Sequence, residues 1–107
     1  MPTFDDFAAL HIRVGTVKRA ERNETARHPA YRLWIDFGGV EKQSSAKLTD
    51  LYTEDALVGR QVVAVAGFEP LLVAGFRSDV LVLGVETEQG VVLLGVERAV
   101  PPGAAVS

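Results

Sequence analysis

An all-β barrel with one short helix is the fold class that this chain predicts, and three observations carry the prediction. Residues 31–37 (YRLWIDF) alternate without a break: Tyr31, Leu33, Ile35 and Phe37 point one way, and Arg32, Trp34 and Asp36 the other. Two further apolar runs, Val62 to Ala66 and Val80 to Val85, have the length and β-branched content of buried strands. Between those runs, Gly67, Pro70, Gly75, Phe76, Arg77 and Ser78 mark a loop presented on a rigid scaffold.

The elements follow in chain order. In FDDFAAL, Phe4 and Phe7 stand at helical spacing, and Asp5 and Asp6 suit a helix N-terminus, so a short lead-in docks its phenylalanines. A long first strand, about 11 to 22, is expected to bend or bulge at Gly15, where the apolar phase shifts. RNETARHPA reads as a solvated loop before the second strand, YRLWIDF. Trp34 sits on that strand's polar face, as the cover of a barrel end or partner strand, or as a subunit or ligand contact. Gly38-Gly39 signals a hairpin into a polar third strand, Val40 to Leu48. That strand carries Lys42, Ser44, Ala46 and Leu48 on one face and Glu41, Gln43, Ser45 and Lys47 on the other, which suits the floor of a binding surface.

TEDALVGR has a Thr cap, acids in the first turn and a glycine after Val58, which together spell one short helix. Strands Gln61 to Ala66 and Val80 to Val85 come next, then a turn at Glu88-Gln89-Gly90 and a final run at 91–96. The prolines of AVPPGAAVS confine the tail to an edge or a strap. Three strands, a helix and two strands is the chain order of the five-stranded OB barrel, a β-sandwich being the alternative.

Composition narrows the function. The 107 residues predict one domain, 1–107, large enough for a core without staples. With no Cys there are no disulfides, thiolate metal sites or Cys nucleophiles, which fits a reducing compartment. MPTFDDFAAL lacks a leader pattern and no apolar run approaches about 18 residues, so a soluble, cytoplasmic protein without membrane insertion is expected. The net charge of -3 is uneven, with eight Lys and Arg against six acids in residues 1–47 and three against eight in 48–107. A basic patch can therefore persist on an acidic chain.

No catalytic or metal constellation emerges: His11 and His28 are far apart in sequence, and the glycines match no phosphate loop or dinucleotide fingerprint. No enzyme activity and no cofactor are expected. What remains is a surface of Arg27, His28 and Arg32, Lys42 and Lys47, with Phe68, Phe76, Arg77 and Ser78 beside the presented loop. Cations among aromatics suit looped or single-stranded RNA, and equally an unfolded peptide.

HIRVGTVKRAE, HPAYRLWIDFG, KQSSAKLTDLYTEDALVGRQVVAVAGF and AGFRSDVLVLGV resemble the CsaA family of small homodimeric bacterial chaperones linked to protein export. That family lies within the wider family of tRNA-binding OB domains, whose fifth-strand motif is Ser-x-Gly-Met. Here Ser78-Asp79-Val80-Leu81 keeps the Ser and replaces the Gly and Met, which favours the chaperone branch over a tRNA binder. The resemblance implies unfolded or precursor polypeptides as partners, with export machinery and tRNA as further ones. It also implies a site built from Lys42 to Lys47, including Ser44 and Ser45, with Phe68, Gly75, Phe76, Arg77 and Ser78 around it. Dimer contacts would come from the N-terminal lead-in and the residues after Val91.

Overall fold

The strand β1 (Ile12–Asn23) organises the fold because it is long enough to pair with two neighbours in succession. In the computed structural model, which describes residues 1–24 and 27–107, it follows helix α1 (Phe4–Ala9). Next come β2 (Ala30–Asp36), β3 (Glu41–Ala46), helix α2 (Glu54–Leu57), β4 (Gln61–Val65), β5 (Leu71–Val73) and β6 (Phe76–Ser78). The last three strands are β7 (Leu81–Val82), β8 (Gly84–Thr87) and β9 (Gly90–Leu93). The first half of β1 pairs antiparallel with β4, and the second half with β2. A curled five-stranded sheet of order β3-β2-β1-β4-β7 results, the half-barrel of an OB fold. Of the expected loop RNETARHPA, Thr25 and Ala26 lie outside the described residues.

The inward face collects the apolar half of each alternation. Val17, Tyr31, Leu33, Ile35, Leu48, Leu57, Val62, Ala64 and Val80 form one buried cluster. Helix α2 plugs its end with Leu57; the Thr53 hydroxyl caps the helix by accepting from Ala56 N–H, and Gly59 N–H donates to Val17 C=O at 2.8 Å. The tail is the strap that its prolines require. Ala105 bridges Arg13, and Val106 N–H donates to Ile12 C=O at 3.0 Å, continuing the sheet where β2 has ended.

Four expectations are corrected by the structure. The register shift of β1 falls between Val17 and Arg19, beyond Gly15. Gly15 serves a close approach instead: a Cβ there would stand 2.5 Å from Ile35 Cγ2 and 2.8 Å from a ring carbon of Phe37. Phe4 does not dock into the core; it is 76% exposed, with the ring of the half-buried Phe7 6.1 Å away. The run Val80 to Val85 is not one buried strand. Only Val80 is fully buried, with Val82 packed against the core, and after Leu83 N–H donates to Val63 C=O at 2.8 Å the chain leaves the sheet to form the separate hairpin β8–β9. The final strand accordingly ends at Leu93.

The presented loop is itself the hairpin β5–β6, closed by Ala74 and Gly75 with φ of +50° and +79°. Two successive positive φ values define the turn that matches strand twist, where Asn-Gly is the preferred pair. Ala74→Asn is therefore expected to raise stability by about 0.5–1 kcal/mol, because Asn tolerates the left-handed region better than Ala. Thermal unfolding measures it; an unchanged or lower midpoint would contradict the turn geometry.

Candidate ligand-binding face

The polar half of the β2 alternation builds the outer face of the sheet. Arg32 and Trp34 project there, and the register shift in β1 sets Arg19 opposite Trp34 and Glu21 opposite Arg32. The Arg19 guanidinium lies 3.7 Å from the Trp34 ring centroid and is also paired with Glu21 at 3.0 Å. Phe76, brought over by the hairpin, meets Trp34 edge-on at 5.3 Å, and Arg32 stands 5.8 Å from the Phe76 centroid. Arg32 Nη2 in turn donates to Asn23 Oδ1 at 3.0 Å. The row cation, ring, ring, cation anchors β6 on the sheet, each contact contributing on the order of 0.5–1 kcal/mol at such half-exposed positions.

The seam between β3 and the hairpin is closed mainly by side chains. Asp79 N–H donates to Gln43 C=O at 2.7 Å, Gln43 Nε2 donates to Arg77 C=O at 2.9 Å, and Gln43 N–H reaches Asp79 Oδ2 at 3.3 Å. Ser78 Oγ accepts from Ser45 N–H at 3.1 Å and lies within bonding distance of Val80 C=O and Ser44 Oγ. Arg77 Nε pairs with Asp79 Oδ1 at 2.8 Å.

Above the seam, a groove of about 470 Å³ opens between the hairpin tip, the polar third strand and the chain entering β2. Its cationic side is Arg27 and Lys47, joined by the imidazole of His28, and its apolar side is Ala30, Val73 and Ala74, with Ser45 on the floor. No carboxylate lines it among the described residues. Such a site can hold an extended chain, with apolar side chains on one wall and acidic groups on the other.

The expected site residues fall into three groups. Arg27, Ser45 and Lys47 line the groove, while Arg32 and Phe76 belong to the adjoining aromatic row and Arg77 is exposed beside the seam. Ser44 and Ser78 are 0% and 6% exposed, Gly75 shapes the turn, and all three work from beneath the face by positioning the hairpin. Lys42 and Phe68 are not brought together with the rest: Lys42 pairs across from Ile35, on the opposite face of β3 from Ser45, and Phe68 makes no ring contact with the row among the described residues. Arg19 and Gln43 were missed. The pairing of Arg19 with Trp34 depends on a register shift that no alternation in the sequence locates.

Among the described residues, no group of three His, Cys, Asp or Glu could hold a metal ion, and no helix is long and apolar enough to cross a membrane. The comparisons with known proteins agree with the geometry. The structure of the chaperone CsaA from Bacillus anthracis str. Ames superposes with a TM-score of 0.92 at 50% identity, covering 100% of this chain and 99% of that one. The CsaA chaperone protein from Picrophilus torridus gives 0.92 at 40% identity, with full coverage of both chains. Methionine–tRNA ligase of Methanothrix thermoacetophila is 39% identical over 103 residues, 96% of this chain and only 15% of the ligase. Residues 12–105 match the family described as "Putative tRNA binding domain", and the chain belongs to that tRNA-binding-domain family.

Proposed function

We propose that the chain is a homodimeric, ATP-independent chaperone that holds unfolded or export-bound polypeptides in the cytoplasm, without catalysing a reaction. The observation that carries this reading is the end-to-end likeness to the CsaA chaperones, against a likeness to only 15% of the ligase. The groove supports it, since an apolar wall and a cationic wall over a polar strand suit a peptide of mixed composition. Burial of a few apolar side chains leaves modest affinity once ordering is subtracted, which suits a chaperone that releases its clients. The exposed Phe4, together with Val92 and Leu94 beyond the barrel, supports terminal segments as the dimer contacts.

A second reading, tRNA binding, is favoured by the family match and by the row of Arg19, Trp34, Phe76 and Arg32. Titrating labelled unfolded peptide and tRNA at about 50 and about 200 mM salt separates the two, because phosphate contacts release counterions. Peptide affinity is expected to fall far less with salt than tRNA affinity, since it involves one or two charge contacts and no row of phosphates. Tight, specific tRNA binding with no peptide binding would replace the chaperone reading by the second. Dilution tests the dimer on its own, and a persistent monomer of 11.5 kDa at micromolar concentration would remove it.

A further inference from the structure

The hairpin β5–β6 has one committed edge and one open edge. Its two-residue turn makes Val73 and Phe76 a pair that exchanges both main-chain bonds, and Leu71 with Ser78 repeats the pattern. Leu72 and Arg77, the pair between them, turn their N–H and C=O groups outward. On the Arg77 side the carbonyl accepts from Gln43 Nε2, so that edge faces β3. On the other side β5 pairs with no strand, and among the described residues the Leu72 N–H and C=O have no hydrogen-bond partner.

Edge strands are ordinarily blunted by charge, proline or a bulge within them, because an open apolar edge templates another chain. Here the edge is three consecutive apolar residues, Leu71, Leu72 and Val73, at 58%, 77% and 38% exposure. Its last residue, Val73, walls the groove whose other side is Arg27, His28 and Lys47. We infer that β5 is a strand-addition edge for an extended polypeptide segment in which apolar and acidic residues alternate. The segment bonds to Leu72 through its own main chain and places a carboxylate among the groove cations. The inference rests on the polypeptide-holding reading and adds the mode of recognition: main-chain bonds are common to every client, and the groove supplies the preference for acids.

Fluorescence anisotropy on the full chain tests it with a labelled peptide of alternating Leu, Val and Glu. The same peptide N-methylated at alternate residues, and one with Lys in place of Glu, serve as comparisons. Each comparison peptide is expected to bind about fivefold or more weakly, the size of one or two lost hydrogen bonds or charge contacts. Leu72→Pro, which removes an outward N–H while leaving the β5–β6 ladder intact, is expected to weaken the parent peptide similarly, and Leu72→Val by less than about twofold. The N-methylated peptide leaves the protein untouched, so it decides the matter even if Leu72→Pro disturbs the hairpin. Equal affinity for methylated and parent peptides would overturn the edge while the chaperone reading stood; no binding of any peptide would overturn both. A mass that falls only in Leu72→Pro would assign the edge to a second copy of the chain, and an oligonucleotide losing affinity in that variant would assign it to RNA; either overturns the inference.

Discussion

Leu33→Ala is expected to destabilise the fold by about 3–4 kcal/mol, read as a lower urea midpoint with an unchanged slope. Leu33 is fully buried at the centre of β2, and its cross-strand neighbours are Ala20 on β1 and Ser44 on β3. Both are small, so neither can extend into the space that the lost side chain leaves. The cavity cost therefore adds to the transfer cost, and the effect belongs in the upper part of the range for such truncations. A loss under about 1 kcal/mol would mean that the sheet collapses around the gap, and that this part of the barrel is plastic.

Ser78→Ala is expected to cost about 1–3 kcal/mol, more than a methyl-sized change elsewhere in the fold would. The hydroxyl makes three contacts at the seam: Ser45 N–H at 3.1 Å, Val80 C=O at 3.1 Å and Ser44 Oγ at 3.3 Å. Its removal leaves the part-buried Ser45 amide and the buried Ser44 hydroxyl without that partner. Because Ser78 ends the hairpin, peptide affinity is expected to fall with stability, whereas Leu72→Pro should lower affinity with little change in stability. Comparing the two variants by unfolding and by peptide titration distinguishes positioning from contact. A Ser78→Ala protein of unchanged stability would show that the remaining Gln43–Asp79 bonds hold the seam alone.

The candidate face was legible to the extent that it depends on period two. The alternation in EKQSSAK already separates Ser45 and Lys47 from Lys42 and Ser44, and the pairing of Ser45 with Arg32 and Ser44 with Leu33 realises that separation. A site combining Lys42 with Lys47 was therefore never compatible with one flat strand. Trp34, expected from the sequence as the cover of a barrel end or partner strand, or as a subunit or ligand contact, packs with Arg19 and Phe76, which lie 15 and 42 residues away in the chain. Leu71 to Val73 was invisible as a strand because the four apolar residues between Pro70 and Gly75 carry no period; only pairing with β6 makes Leu71 to Val73 one.

By itself the sequence determined the chain order of the first three strands, the short helix and β4, the inward half of their alternations, the Thr53 cap and the strap-like tail. Those features follow from dihedral preferences, caps and periodicity, which act over a few residues at a time. Tertiary structure alone decided where β1 shifts register, that the presented loop is a hairpin with an open edge, and which polar residues close the seam. Each of these depends on which surfaces meet when the sheet curls, and that is settled by the joint packing of residues far apart in the chain.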